Sequence, residues 1–344
     1  MIEETHKLLA AVAEDWKDPE HPARQVAVGH TLRASNRFTE EAVAFAVNQQ
    51  MELVTPGGLA EWLGTDALAE PRHVGVIEAG NVPMAGLQDY LAVVGLGHKF
   101  VGAVSARSPW LLTGFAEEVE ERGGPRALFT DHQDIIGIVD ALIASGSDET
   151  VQSLNQACAE ADIPALLRGN KYSVAVLDGQ ESEDDRLGLA EDALLHEGLG
   201  CRNVALIFAP KGLDADPYFE ALSVFRGTFP AHPSTSGSLK MQQAFLAAVK
   251  APHAYGEGLV YLVSRGEAEA QSPGHIRWVP YQELSEVQAW ITEHIGELQL
   301  VAGRRSVLGS LTTSVETVGF GDAQRPTLDW KPDGRDTMGF LRGL

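Results

Sequence analysis

The chain has 344 residues, 44% of them hydrophobic, and a formal net charge of −22 at pH 7. Because one hydrophobic core serves up to roughly 250 to 300 residues, this length predicts two domains. The acidic charge argues against binding to a nucleic-acid backbone, since that affinity comes from Lys and Arg that displace counterions. A nucleotide cofactor remains compatible with it, because backbone amides and helix N-termini bind phosphate without a basic surface.

The number of cysteines and the length of the apolar runs bear on where in the cell the protein is expected. Cys158 and Cys201 are too few for a disulfide framework, which indicates a reducing environment. The stretch 1–19 mixes acidic with apolar residues, and no run reaches the roughly 18 apolar residues that span a bilayer. We therefore expect a cytoplasmic protein with no export signal and no membrane span. No group of cysteines and histidines has the spacing of metal ligands, so we expect no metal.

In the first half of the chain, short β-type runs alternate with helical segments, as in a parallel sheet covered by helices. The predicted strands are 73–78, 100–105 and 140–144, and the predicted helices are 84–95, 109–122 and one from Ser147 to near residue 160. This order predicts a doubly wound domain of the nucleotide-binding kind.

The alternation continues in the second half. The predicted elements there are strands 172–177 and 204–208, an acidic helix 183–196 and a helix 239–249. We place a domain boundary near residue 165. The segment 229–258 carries no motif that we recognise, and it is our candidate for lining a substrate tunnel.

The loop around Cys201 is suited to nucleophilic chemistry. Gly198 and Gly200 leave the backbone before it without side chains, so a substrate can approach the sulfur closely. The loop lies between a predicted helix and a predicted strand, where catalytic groups concentrate. Arg202 is a candidate for lowering the pKa of the thiol, and the thiolate is the nucleophilic form. A lone cysteine is often a small buried hydrophobic residue, which is our interpretation of Cys158.

Several fragments, in chain order, resemble the aldehyde dehydrogenase superfamily. Gly-Asn-Val-Pro at 80–83 resembles the turn in which an Asn amide, here Asn81, helps form the oxyanion hole. Gly146 and Ser147 resemble the cofactor loop that opens a helix beside the pyrophosphate. Gly-Cys-Arg at 200–202 resembles the nucleophile segment. Glu293-His294-Ile295-Gly296 resembles the Glu-x-Phe-Gly region that contacts the nicotinamide ribose.

A closer resemblance is to the acyl-CoA reductase family typified by the fatty acid reductase of bacterial luminescence systems, in its short branch. That branch carries four motifs, which appear here at 144–147, 172–177, 198–204 and 333–338, so the resemblance covers most of the chain. It implies two doubly wound α/β domains of the aldehyde dehydrogenase type, with the active site in the cleft between them. The implied domains are 1–165, which binds the nicotinamide dinucleotide, 166–330, which bears the nucleophile, and a tail, 331–344, that docks back on the body.

The resemblance also implies a reaction. Cys201 would accept an acyl group, expected to be a fatty acyl group, from coenzyme A, and hydride from NADPH or NADH would reduce the thioester to an aldehyde. A covalent intermediate splits one difficult step into two easier ones. Asn81 and the backbone N–H of Cys201 stabilise the oxyanion. The implied cofactor-binding residues are Ser105, Gly146, Ser147 and Glu293, and a homodimer is a further implication.

Two departures from the family pattern carry weight. Segment 166–171 lacks the carboxylate that activates water in hydrolytic relatives, which favours acyl transfer over hydrolysis. Ala103 stands where the family has a Lys that holds the cofactor ribose or 2′-phosphate. The candidates for replacing that cation are Lys99, Arg107 and Lys171. This departure leaves the choice between NADPH and NADH open.

Three interpretations remain open beside the acyl-CoA reductase. The chain is alternatively a reductase of an acyl phosphate or of a carrier-protein thioester, or a non-catalytic acyl-binding scaffold with the same fold.

His196 most simply ends a helix, where a cation suits the dipole. The motif at 333–338 has no chemical role that we can derive, and we expect it to dock the tail.

Overall fold

The structure is a computed structural model that describes residues 2–66, 68 and 70–344. The chain forms two compact units. The N-terminal unit comprises the chain up to Asn170 together with Thr327–Leu344, and the C-terminal unit is Lys171–Pro326. The first division therefore lies after Asn170, against a predicted boundary near 165, and the chain returns to the N-terminal unit shortly before the predicted tail.

A five-stranded parallel sheet forms the centre of the N-terminal unit, in the order β3-β2-β1-β4-β5. Its strands are β1 (His73–Ile77), β2 (Lys99–Ala103), β3 (Ala127–Phe129), β4 (Ala141–Ser145) and β5 (Ala165–Arg168). The chain first places β2 and β3 on one side of β1 and then crosses to place β4 and β5 on the other. The strand order thus reverses between β1 and β4, where doubly wound sheets bind ligands beyond the carboxyl ends of the strands.

Helices cover both faces of this sheet. They are α1 (Ile2–Trp16), α2 (Pro22–Arg33), α3 (Glu40–Leu53), α4 (Pro56–Leu63), α5 (Leu87–Leu96), α6 (Leu111–Glu121) and α7 (Asp148–Glu160). Nine of the ten residues of α5 are buried, and from Tyr90 to its end the helix has no charged residue. Trp16 and Tyr90 each meet Phe115 edge to face, with ring centroids 5.4 and 6.2 Å apart, at the centre of the larger core.

A seven-stranded sheet forms the centre of the C-terminal unit, in the order β12-β11-β6-β7-β10-β9-β8. Its strands are β6 (Tyr172–Val176), β7 (Val204–Pro210), β8 (His253–Tyr255), β9 (Leu262–Arg265), β10 (His275–Tyr281), β11 (Leu298–Gly303) and β12 (Glu316–Val318). Its helices are α8 (Glu183–Leu194), α9 (Asp216–Thr228), α10 (Thr235–Ala248), α11 (Leu284–Glu293) and α12 (Arg305–Leu308). The strand pairs are parallel except that between β8 and β9.

The tail packs on the N-terminal unit and ends in α13 (Thr337–Arg342). Gln88 of α5 donates to the carbonyls of Leu328 and Trp330, at 2.9 and 2.8 Å. The ring of His98 lies 3.0 Å from the carbonyl of Leu341. Because these contacts use main-chain carbonyls, they hold the tail by its backbone.

Every predicted strand is a strand of the structure, with ends that differ by no more than two residues. The helix predicted to begin at Met84 begins at Leu87, because Met84 has a φ of 60° and cannot belong to a right-handed helix. The helix predicted to end at His196 ends at Leu194, since His196 is also left-handed. In the described part of the chain, no helix combines the length and the hydrophobicity that crossing a membrane requires.

Candidate functional site

Four of the predicted site residues lie at one edge of the N-terminal sheet. Ile77 at the end of β1 is in register with Ala103 of β2 and Ala144 of β4, so these strands end side by side. The residues that follow them are Asn81 after β1, Ser105 after β2, and Gly146 and Ser147 after β4. Parallel topology therefore brings these loops to the edge where the strand order reverses.

The turn that carries Asn81 is closed at both ends. Glu78, which follows β1, accepts a hydrogen bond from the N–H of Gly86 at the start of α5, at 3.1 Å. A Cβ at Gly80 would overlap the side chain of Ser105, so only glycine allows the turn after β1 to approach the loop after β2. Met84 is buried and left-handed inside the turn. This packing fixes the backbone on both sides of Asn81, which is half-buried.

Glu78 was not predicted as a site residue. Burial raises its pKa to about 8, the N–H of Gly86 opposes that shift, and the charge of Asp89 adds to it. Asp89 itself accepts two hydrogen bonds from Arg168, at 2.7 and 2.9 Å. Arg168 also donates to the hydroxyl of Thr337 at 2.8 Å, which gives the motif at 333–338 its docking contact. An acidic residue directly after an apolar strand was the sequence feature that could have indicated Glu78.

The loop after β4 presents the N-terminus of α7. Ser147 is exposed and caps the helix by accepting from the N–H of Thr150 at 3.3 Å. The preceding turn leaves the N–H groups of Asp148 and Glu149 without intrahelical acceptors, as in any first helical turn. Such groups fit phosphate oxygens, although the carboxylates of these two residues oppose an anion. The carboxylate of Asp148 turns back to accept from the N–H of Asn170, at 2.9 Å.

The structure separates the three candidate replacements for the missing Lys. Lys99 begins β2 and lies about 13 Å from the carboxyl end of that strand, at the opposite edge of the sheet. Lys171 belongs to the C-terminal unit, where its ammonium donates to the carbonyl of Gly296. Arg107 follows Ser105 by two residues, and a Cβ at Gly80 would lie 3.1 Å from its Cβ. Of the three, only Arg107 lies at the edge that carries Asn81.

Cys201 lies in a hydrogen-bonded loop just before β7. Asn203 accepts from the N–H of Gly200 at 2.8 Å and donates to the carbonyls of Asp192 and Leu195. The hydroxyl of Ser173 donates to the carbonyl of Cys201 at 2.9 Å. Cys201 is half-buried, and the loop around it is held by buried polar side chains. This is the arrangement expected of a reactive group that must be both accessible and fixed.

The other cysteine and the neighbouring arginine have structural roles. Cys158 is 2% exposed in the core under the N-terminal sheet, as predicted, and burial raises the pKa of its thiol. Arg202 donates to both carboxylate oxygens of Glu316, at 2.7 and 3.0 Å, and to the carbonyl of Ala323. This pair ties the loop to β12, and an effect of Arg202 on the pKa of Cys201 stays a prediction.

His196 is buried, and burial lowers its pKa to about 4. It is therefore neutral near pH 7, and the expectation of a cation at the end of α8 is wrong. Glu293 is exposed on the last turn of α11, ahead of β11, and β6 separates β11 from β7. Its role at the cofactor stays a prediction. The described residues contain no group of three or more His, Cys, Asp or Glu placed to hold a metal ion.

No protein-family model matches the sequence, and no curated protein matches it. Solved structures match its fold. An oxidoreductase from Marinobacter aquaeolei is 15% identical over 95% of this chain and 79% of that one, with a TM-score of 0.73. The NAD+ complex of an aldehyde dehydrogenase from Bacillus cereus is 14% identical over 92% of this chain and 76% of that one, with a TM-score of 0.70. The chain has the aldehyde dehydrogenase fold.

A third structure of this fold is the succinic semialdehyde dehydrogenase from Streptococcus pyogenes in complex with NADP+. It is 14% identical over 92% of this chain and 81% of that one, with a TM-score of 0.68. These similarities confirm the predicted α/β fold class. At such identities they establish the fold, and activity has to be argued from the residues of this chain.

Proposed function

We propose that the protein is an NAD(P)H-dependent reductase that converts an acyl-CoA thioester to an aldehyde, with Cys201 as the acyl carrier. The observation that carries the proposal is the loop of Cys201. In a chain with the aldehyde dehydrogenase fold, it combines a half-buried cysteine with a backbone held by Asn203 and Ser173. The solved structures that share this fold include an oxidoreductase and complexes with NAD+ and NADP+, which supports nicotinamide chemistry.

In the first half-reaction, the thiolate of Cys201 attacks the thioester carbonyl carbon. The new carbon–sulfur bond forms, the bond to the coenzyme A sulfur breaks, and coenzyme A leaves as a thiolate that takes up a proton. The amide of Asn81 and the backbone N–H of Cys201 are proposed to donate to the carbonyl oxygen while it carries negative charge. The closed turn around Asn81 suits that role, because a preorganised donor needs no reorganisation during the reaction.

For the second half-reaction, acyl-Cys201 would present its carbonyl carbon to a nicotinamide, which when bound would supply a hydride. Protonation of the oxygen and cleavage of the carbon–sulfur bond then give the aldehyde and restore the thiol. Gly146, Ser147 and the first N–H groups of α7 would bind the pyrophosphate. Ser105 and Arg107 are proposed to contact the adenosine ribose or its 2′-phosphate, and Glu293 is proposed to contact the nicotinamide ribose.

Two features favour acyl transfer over hydrolysis. The segment 166–171 offers no carboxylate to activate water, and its Arg168 is held by Asp89. The carboxylate closest in sequence to the thiol, Glu197, is buried and paired with Arg226, so it is unsuited to act as a base. An acyl-enzyme in this site would therefore persist until a hydride reaches it.

Ala103 and the acidic first turn of α7 favour a second candidate, a non-catalytic acyl-binding scaffold. Both features weaken cofactor binding, because one removes a cation and the other adds carboxylates near the phosphates. A reductase of an acyl phosphate or a carrier-protein thioester would use the same Cys201. The three alternatives differ in the acyl donor and in the need for a cofactor.

Intact-mass spectrometry after incubation with a panel of acyl-CoAs tests the proposal. We expect an added acyl mass on the wild type and on the matched control Cys158→Ala, none on Cys201→Ala, and its loss when NADPH or NADH is added. An adduct that survives both cofactors would support the scaffold. No adduct with any acyl-CoA would overturn the proposal and favour an acyl phosphate or a carrier-protein donor.

A further inference from the structure

The backbone just ahead of Cys201 is left-handed over three consecutive residues. His196, Glu197 and Gly198 have φ values of 55°, 59° and 70°. Glycine adopts this conformation readily, but L residues with a Cβ pay an energetic cost for it, and here two follow each other. Such strain persists only where the surrounding structure over-determines the backbone. The contacts of these three residues therefore identify what imposes the conformation.

Gly198 is fixed by a close backbone approach. A Cβ on it would lie 2.8 Å from the backbone nitrogen of Gly274, which precedes β10. The segment passes so close to this second backbone that any side chain at 198 would displace it. Gly198 therefore sets the distance between the left-handed turn and the sheet.

Glu197 is fixed by two side chains from distant parts of the unit. Its carboxylate is 3% exposed and accepts from the guanidinium of Arg226 on α9 at 2.9 Å. It also accepts from the hydroxyl of Thr235, the first residue of α10, which is fully buried. A carboxylate this deeply buried is stable only when paired and hydrogen-bonded, so these two donors determine where Glu197 can lie.

The turn is connected directly to the loop of Cys201. The N–H of Leu199 donates to the carbonyl of His196 at 3.1 Å, and the next residue, Gly200, donates to Asn203. The chain from the left-handed turn to Cys201 is therefore short, and both residues between Gly198 and Cys201 donate a hydrogen bond. A change in the φ values of the turn would move Cys201 relative to β7.

We propose that Arg226 and Thr235 are positioning residues for the Cys201 thiol, which they control by holding Glu197 and, through it, the left-handed turn. They lie 25 and 34 residues after Cys201, in a part of the sequence without a recognisable motif. The kinetic part of this inference rests on the proposed function. Its structural part concerns the reactivity and protection of the loop and stands without it.

Thr235→Val tests the inference, because it keeps the shape of the side chain and removes its donor. With an acyl-CoA and NADPH as substrates, we expect kcat to fall about tenfold while KM for the acyl-CoA stays within about twofold. Thr235→Ser, which restores the hydroxyl, should recover kcat. The matched control is Thr292→Val on α11, whose hydroxyl hydrogen-bonds to Gln288 of the same helix. Equal kcat values for Thr235→Val and Thr292→Val would overturn the kinetic part.

A second readout does not require catalysis. In a Cys158→Ala background, Thr235→Val should raise amide hydrogen exchange at Leu199 and Gly200 about tenfold and change the rate of alkylation by iodoacetamide about threefold. If these changes appear although the wild type forms no acyl adduct, the proposed function fails and the positioning of Cys201 stands. If both quantities match those of Thr292→Val, the positioning is refuted.

Arg226→Lys provides the same test should Thr235→Val not fold, because it keeps the buried charge and loses the planar guanidinium. We expect faster exchange at Leu199 and Gly200 in this variant too. Wild-type exchange and wild-type alkylation in Arg226→Lys would overturn the inference.

Discussion

Each unit contains a strained turn beside a buried glutamate, and the two glutamates are stabilised differently. Glu78 closes the turn of Asn81 with one backbone hydrogen bond, and no Lys, Arg or His in the described ranges lies within ion-pair distance of it. Glu197 lies in the left-handed turn before Cys201 and is paired with Arg226. A buried carboxyl group without a neighbouring cation avoids the cost of burying a charge by staying protonated. A buried carboxylate beside a cation stays ionised, and its stability depends on that cation. The first turn should therefore respond to pH and the second to loss of the partner.

The largest loss of stability is expected when Arg226, the partner of Glu197, is replaced. Arg226→Met leaves a buried carboxylate without its cation, and breaking a buried pair in this way costs about 3 to 5 kcal/mol. Urea unfolding monitored by circular dichroism measures this loss. The double variant Glu197→Gln, Arg226→Met should recover most of the stability, because it leaves no unpaired charge. If Arg226→Met alone is as stable as the wild type, the Glu197–Arg226 pair does not hold the left-handed turn.

Replacing Asn203, whose side chain organises the Cys201 loop, should lower the free energy of unfolding slightly less than Arg226→Met does. Asn203→Ala removes three hydrogen bonds from a buried site and leaves the N–H of Gly200 without its acceptor, at a cost of about 3 kcal/mol. The control is Asn170→Ala, in which the side chain removed lies in the N-terminal unit. We expect the control to unfold at the urea concentration of the wild type. Equal midpoints for both variants would mean that the Asn203 bonds contribute little.

Glu78 should make the stability of the fold depend on pH. Its pKa rises from 4.5 in the unfolded chain to about 8 on folding, so the folded state keeps a proton that the unfolded chain releases. This carboxyl therefore makes folding less favourable as pH rises through that window, by about 1.4 kcal/mol per pH unit. Glu78→Gln, which keeps an acceptor for Gly86, should remove this contribution. The exposed control, Glu121→Gln, should follow the wild type, and identical pH profiles for Glu78→Gln and the wild type would contradict the account.

The smallest effect is expected at the helix caps. Ser147→Ala and Ser182→Ala each remove an N-cap, from α7 and α8 respectively, and each should cost about 1 kcal/mol. Of these two capping residues, only Ser147 belongs to the proposed cofactor loop, so only its replacement should weaken cofactor binding. Added NADPH should raise the melting temperature of Ser182→Ala as much as that of the wild type, and that of Ser147→Ala less. Equal shifts would remove Ser147 from the cofactor site.

The two regions also differ in what the sequence revealed. The turn of Asn81 was predictable, because a short apolar strand followed by Gly and Pro defines it locally. The loop of Cys201 was predictable as a position, through its glycines. Its left-handed entry was not predictable, because only a few per cent of residues other than glycine adopt positive φ, and no local pattern marks His196 and Glu197. The partners that impose it, Arg226 and Thr235, are distant in sequence, and local patterns carry no information on such contacts.

Other omissions have similar causes. β3, β5 and β8 to β12 were not predicted as strands. β3 has only three residues, none of them buried, so its apolar run is too short to indicate a strand. The ion pair between Arg202 and Glu316 was not predicted, because the two residues are 114 positions apart in the sequence. Glu78 and Asp89 were overlooked since an isolated acidic residue is most often exposed, and only the fold showed that both are buried.

The central claim is that a hydride reduces an acyl group carried by Cys201. The most direct test is a single turnover with an acyl-CoA and NADPH deuterated at C4 of the nicotinamide, followed by mass spectrometry of the product. The account predicts an aldehyde with one deuterium at its carbonyl carbon, formed by the wild type and by Cys158→Ala and absent with Cys201→Ala. A free carboxylic acid as the product, or a deuterated aldehyde from Cys201→Ala, would contradict it.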